Sequence, residues 1–191
     1  MNNKHAQQRQ ARSASAPAGA LPAPLRRLIL ILLLLSGFAS LIYQVLWMKQ
    51  LGLLFGNTAE AASVTLAAFF AGLAAGSWFW GHRVSRSASP LRLYGYLELG
   101  IAATALVYYV LLGLFYAIYP PVYHTLGAGS AMLAVKFALA LLLIFPPAFC
   151  MGGTVPAIAQ LLVHRSALFG RTSALIYGLN TFGAAMGVVA A

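Results

Sequence analysis

Apolar residues recur along this chain in five blocks, each bounded by basic, turn-forming or proline residues. A helix of about twenty residues, rising about 1.5 Å each, covers a hydrocarbon core of about 30 Å, so each block is long enough for one crossing. The pattern predicts an all-α integral membrane protein with spans at about 28–47, 60–80, 93–119, 131–151 and 175–191. The second block is the most sharply drawn. No charged residue lies between Ala61 and Trp80, Asn57 can cap the start, and Glu60 reaches back toward the free amides. Gly72 and Gly76 make a flat stripe with Ala68 on which another helix can approach closely. Trp78 and Trp80 fall where an interfacial belt is expected, and Arg83, Arg86 and Arg92 follow at once.

The other blocks take their limits from their flanks. Residues 1–24 are polar, rich in Ala, Ser, Gln and Pro, and read as a disordered cytoplasmic tail ahead of a helical membrane domain at 25–191. Arg26 and Arg27 precede the first span, whose apolar run is too long for a signal peptide. It is expected to end at Trp47, with Lys49 in a short loop before the second helix. Pro120 and Pro121 should stop the third span, since neither donates a helix hydrogen bond, and Tyr108, Tyr109, Tyr116, Tyr119 and Tyr123 thicken toward that end. The fourth pattern could run to Val163, too long for one core. Pro146 and Pro147 are expected to break or kink it, leaving Gly152, Gly153 and Pro156 to bend along or out of the inner interface. The fifth span opens near Leu175 and is still apolar at Ala191, as expected of a helix truncated within the membrane.

Composition agrees with this reading. Of 191 residues, 61% are hydrophobic and 7% charged, against about a quarter charged in soluble domains. The formal charge of +10 does not indicate nucleic acid, because the basic residues flank apolar spans rather than forming a basic helix or an aromatic-lined strand. The expected partner is a lipid bilayer, anionic lipids included. Lys4, Arg9, Arg12, Arg26, Arg27, Arg83, Arg86, Arg92, Arg165 and Arg171 are ten of the twelve basic residues and all fall on one side. The positive-inside rule then places the amino terminus in the cytoplasm of a multi-pass protein of the plasma (inner) membrane. Cys150 is the sole cysteine, and His5, His82, His124 and His164 are scattered, so neither a disulfide within the chain nor a metal site is expected. Gly127, Ala128 and Gly129 follow no strand and lack the Lys–Thr/Ser tail of a phosphate loop, so no cofactor is expected either.

Polar groups inside a membrane are costly and often functional, which singles out Gln44, Glu98, Lys136 and Asn180, with Gln160 beside them. By depth, Lys136 should snorkel to the outer face instead of meeting Glu98. Glu98, with the small residues Gly95 and Ala102 at helical spacing, is expected to face another helix and to hydrogen-bond there or pair with Arg92. Asn180 could reach Glu98 if the helices pack. Gly183 and Gly187 repeat the four-residue spacing and predict a second packing stripe.

Several stretches also resemble the membrane portion of fused major-facilitator-like/spermidine synthase proteins. They are SGFASLIYQVLWMKQLGLLFG at 36–56, AAFFAGLAAGSWFWGHRVSR at 67–86, YLELGIA at 96–102, MGGTVPAI at 151–158 and IYGLNTFGAAMG at 176–187. The resemblance implies a bundle like half of a major-facilitator-type transporter, placed ahead of a Rossmann-like aminopropyltransferase domain. That domain would bind decarboxylated S-adenosylmethionine and a polyamine. With Glu60 and Glu98 as its only acidic residues, this chain is not expected to be an enzyme alone, since a multiply charged amine needs several carboxylates. The expected role is to anchor or feed such a domain. One alternative is a transporter half moving a small solute, a cation being one option, along Gln44, Glu98 and Asn180; another is a structural helical module. Further spans, the soluble domain or a second copy are the partners these readings imply.

Overall fold

The computed structural model describes residues 21–56, 59–127, 129–163 and 169–191. Residues 1–20 of the tail expected at 1–24, the cap at Asn57, and the flanking His164 and Arg165 lie outside the described residues, while Ala23 and Pro24 already belong to the first helix. The described residues form five helices: α1 (Ala23–Phe55), α2 (Ala59–Ser85), α3 (Pro90–Leu126), α4 (Ser130–Val163) and α5 (Phe169–Ala190). Each contains a segment long and apolar enough to cross a membrane.

Most helices outrun the limits read from sequence, and the proline positions show why. Proline at the first or second position starts α1 and α3 at no hydrogen-bond cost, since those amides have no helical partner anyway. α1 then continues to Phe55, which puts Lys49 in the helix instead of a loop. α3 does not stop at Pro120 and Pro121; it runs on to Leu126. Gly127 ends it with φ 63°, a left-handed conformation open to glycine, and donates its N–H to the Tyr123 carbonyl at 2.9 Å. α4 passes through Pro146, Pro147 and Pro156 as one helix of 34 residues, so those prolines do not break it. A proline inside a helix frees the carbonyl four residues earlier. For Pro156 that carbonyl belongs to Gly152, and the Ser77 hydroxyl of α2 donates to it at 2.9 Å. A neighbouring helix thus supplies the hydrogen bond that proline removes.

The helices alternate in direction, and α4 is the centre of the bundle. It packs most extensively on α2, then on α3, while α1 makes its largest contact with α5. Two apolar layers follow. One joins Trp47, Leu51, Phe69, Tyr108, Leu143 and Ile144 toward the carboxyl end of α1. The other joins Ile29, Leu33, Val84, Leu97, Ile158 and Ile176 toward its amino end. The described arginines Arg26, Arg27, Arg83, Arg86, Arg92 and Arg171 consequently gather at one end of the bundle.

Glycines set the closest approaches. A Cβ on Gly76 would meet the Phe149 carbonyl, one on Gly72 would lie 2.7 Å from Ala148 Cβ, and one on Gly152 would meet the Leu73 carbonyl. The α2–α4 seam is therefore small-residue on both sides. In the α1–α5 seam, Gly183 and Gly187 sit against the Leu34 and Phe38 carbonyls, while Gly37 sits against Asn180. Glycine in a helix interior costs about 1 kcal/mol relative to alanine, and close backbone packing offsets that cost here. Trp80 departs from the expected interfacial belt. It turns inward onto Phe149, at a centroid distance of 5.8 Å, and fills the space that Gly153 leaves open. Trp78 remains exposed.

Candidate functional sites

The polar residues Gln44, Glu98, Lys136 and Asn180 of the apolar helices lie in three places, each built by a different combination of helices around α1.

At the amino half of α1, Ser36 Oγ donates to Glu98 Oε1 across the α1–α3 contact at 2.7 Å. One turn earlier on α3, the buried Tyr94 hydroxyl donates to the Leu32 carbonyl at 3.3 Å. Glu98 therefore faces another helix, though on a different stripe from the expected one. Gly95 has open space where a Cβ would stand, and Ala102 is exposed. The face that packs is Tyr94, Leu97, Ile101 and Ala105, with Glu98 at its edge. The partner is a serine and not Arg92, which is exposed.

At the opposite end, Lys136 reaches out of α4 toward the carboxyl terminus of α1. Its Nζ donates to the Phe55 carbonyl at 3.0 Å and stands 5.7 Å from the centre of the Phe55 ring. Phe55 is the last residue of α1, so its carbonyl has no helical donor, and the negative end of the helix dipole favours a cation there. Lys136 thus works as a helix cap supplied from a second helix, far from Glu98.

Between these two levels, residues of α1, α2, α4 and α5 line a cavity of about 370 Å³ that is open on one side, where Phe70 is exposed. Gln44 and Asn180 both line it, together with the hydroxyl residues Ser40, Ser77 and Thr154. Asn180 sits against Gly37 here, and Glu98 is not among the lining residues. Gln44 is 4% exposed, and neither its Nε2 nor its Oε1 has a hydrogen-bond partner. The three hydroxyls are already committed as donors: Ser40 to the Ser36 carbonyl, Ser77 to Gly152 and Thr154 to Met151. Among the described residues no ionisable side chain lines the cavity.

Sequence reasoning missed Ser36, Ser40, Ser77 and Thr154. Serine and threonine are ordinary in apolar helices because they can bond back to their own backbone, as Ser40 and Thr154 do. A signal for Ser77 did exist: Pro156 announces a free carbonyl at Gly152 that some neighbour must satisfy. Among the described residues no three His, Cys, Asp or Glu side chains come together as a metal site would require. Comparisons with protein-family models, curated proteins and solved structures found no match to this chain.

Proposed function

We propose that this chain is a structural helical membrane module, a rigid bundle that spans the bilayer with its amino terminus in the cytoplasm and carries no chemistry of its own. The observation behind this reading is the pair of glycine seams, α2 on α4 and α1 on α5, where backbone meets backbone. Lipid tails are as apolar as leucine, so helices associate in a bilayer through such close packing and not through burial from water. The arginines gathered at one end suit the positive-inside rule and the anionic lipid of a cytoplasmic leaflet. The test is direct. The chain should resist alkaline carbonate extraction from membranes and remain helical and monodisperse in detergent by itself. Release by carbonate, or collapse on purification, would overturn the reading.

A second reading has its own support. The stretches that resemble fused major-facilitator-like/spermidine synthase proteins meet one another in space. Ser36 bonds Glu98, Gly37 touches Asn180, and Gly152 is bonded by Ser77. In that reading the bundle is a major-facilitator-type half that anchors or feeds an aminopropyltransferase domain, with further spans or a second copy as other partners. Sequencing the gene downstream of Ala191 separates the cases. A glycine-rich strand–loop–helix with acidic residues favours the anchor, whereas more apolar spans favour a transporter half.

A further inference from the structure

We infer that the cavity around Gln44 is a binding site for a small uncharged amide, a lactam or primary carboxamide with an apolar body. The carboxamide of Gln44 offers one donor and one acceptor side by side, and both stand free although the residue is 4% exposed. A buried polar atom without a partner costs about 1–3 kcal/mol, so two on one side chain demand a complement. A second carboxamide, that of Asn180, lines the same cavity. An amide whose N–H and C=O lie on one edge makes two parallel hydrogen bonds with Gln44, one in each direction.

The rest of the lining defines the other properties of the ligand. Leu66, Phe69, Phe70 and Leu73 of α2 and Met151 and Val155 of α4 form an apolar wall. Water needs two to four polar neighbours, and that wall supplies none. An apolar body suits it. The lining also disfavours charge: among the described residues no ionisable side chain lines the cavity, so an ion there would lack a counter-charge. The hydroxyls of Ser40, Ser77 and Thr154 have their protons engaged elsewhere, so they can only accept further bonds. That leaves the carboxamides of Gln44 and Asn180 to donate, and it is Gln44 whose two polar atoms are buried and unpaired. The cavity volume of about 370 Å³ falls within the range of ligand sites, about 300–1,000 Å³.

The experiment uses the whole chain in detergent or nanodiscs and titrates ε-caprolactam and benzamide, with benzoate and benzylamine as charged isosteres. Binding is read by ligand-observed NMR and by thermal shift. The neutral amides should bind saturably and the two charged compounds should not. Gln44→Met, which keeps length and removes both polar atoms, should weaken amide binding by at least about tenfold, a loss of about 1.4 kcal/mol. It should also raise the thermal stability of the ligand-free protein, because the unpaired amide is gone. Should that variant fail to fold, Ala184→Leu fills the cavity from α5 without touching Gln44 and should abolish binding equally. Glu98→Gln lies outside the cavity and should leave binding unchanged. Equal binding of benzamide and benzoate, undiminished binding to Gln44→Met or to Ala184→Leu, or no saturable binding of either amide would each overturn the assignment. The last result would mean that the cavity holds water alone.

Discussion

Gly76→Ala is the smallest change that tests how this bundle holds together. The added Cβ would meet the Phe149 carbonyl and lie 2.8 Å from its carbon and 2.9 Å from Cα. Carbon atoms pack best at about 3.5–4.0 Å, so α2 and α4 must part by roughly 0.6–1 Å. All three opposing atoms are backbone, and no rotamer change relieves the clash. A gap of about 0.5–1 Å forfeits a quarter to a half of each contact along the seam, and overpacking of this kind costs about 1–3 kcal/mol. Parting the helices also stretches the Ser77–Gly152 hydrogen bond one turn away. Alanine returns about 1 kcal/mol through its better helix propensity, so the net loss should be about 0–2 kcal/mol. For a chain of this length that corresponds to a fall in Tm of up to about 8 °C, read by circular dichroism or size-exclusion in detergent. Gly113→Ala is the control, since a Cβ there has open space and the same propensity gain applies. It should be neutral or stabilising by up to about 1 kcal/mol. Equal behaviour of the two variants would refute the seam as a source of stability.

Other perturbations test individual contacts. Ser77→Ala strands the carbonyl that Pro156 leaves free and should cost about 1–3 kcal/mol. The same change in a Pro156→Ala background should cost markedly less, because residue 156 then supplies the amide; an additive double-mutant cycle would refute the compensation. Glu98→Gln keeps an acceptor for Ser36 and should shift detergent stability by less than about 1 kcal/mol, whereas Glu98→Leu should cost more than the amide does. A larger loss with the amide than with leucine would count against the Ser36 bond. Lys136→Met removes the donor at the α1 terminus and should cost about 0.5–1.5 kcal/mol, with Lys136→Arg restoring most of it. Unchanged stability of the methionine variant would refute a capping role. With Cys150 changed to serine, a membrane-impermeant thiol reagent applied outside should modify His124→Cys and spare Ser87→Cys. The opposite pattern would invert the proposed orientation.

The sequence by itself determined that the chain is helical, with five segments long and apolar enough to cross a membrane. Those properties depend on local composition summed over about twenty residues, and no distant contact is needed to read them. Helix ends were less legible. Pro120, Pro121, Pro146, Pro147 and Pro156 each break a local rule, and whether a helix survives such a residue depends on what stands opposite the carbonyl it frees. At Pro156 the answer is Ser77, 79 residues away in sequence. Gly72 and Gly76 announced a close approach, but only packing could name α4 as the partner or reveal that Gly152 returns the contact. The polar residues show the same division. Gln44, Glu98, Lys136 and Asn180 stand out along the chain because polarity inside an apolar block is rare. Which of them meet is a question of helix rotation and height, fixed by contacts between helices far apart in sequence. The tertiary structure sends Glu98 to Ser36 and Lys136 to the end of α1. It leaves Gln44 and Asn180 facing a shared cavity, with the amide of Gln44 unpaired.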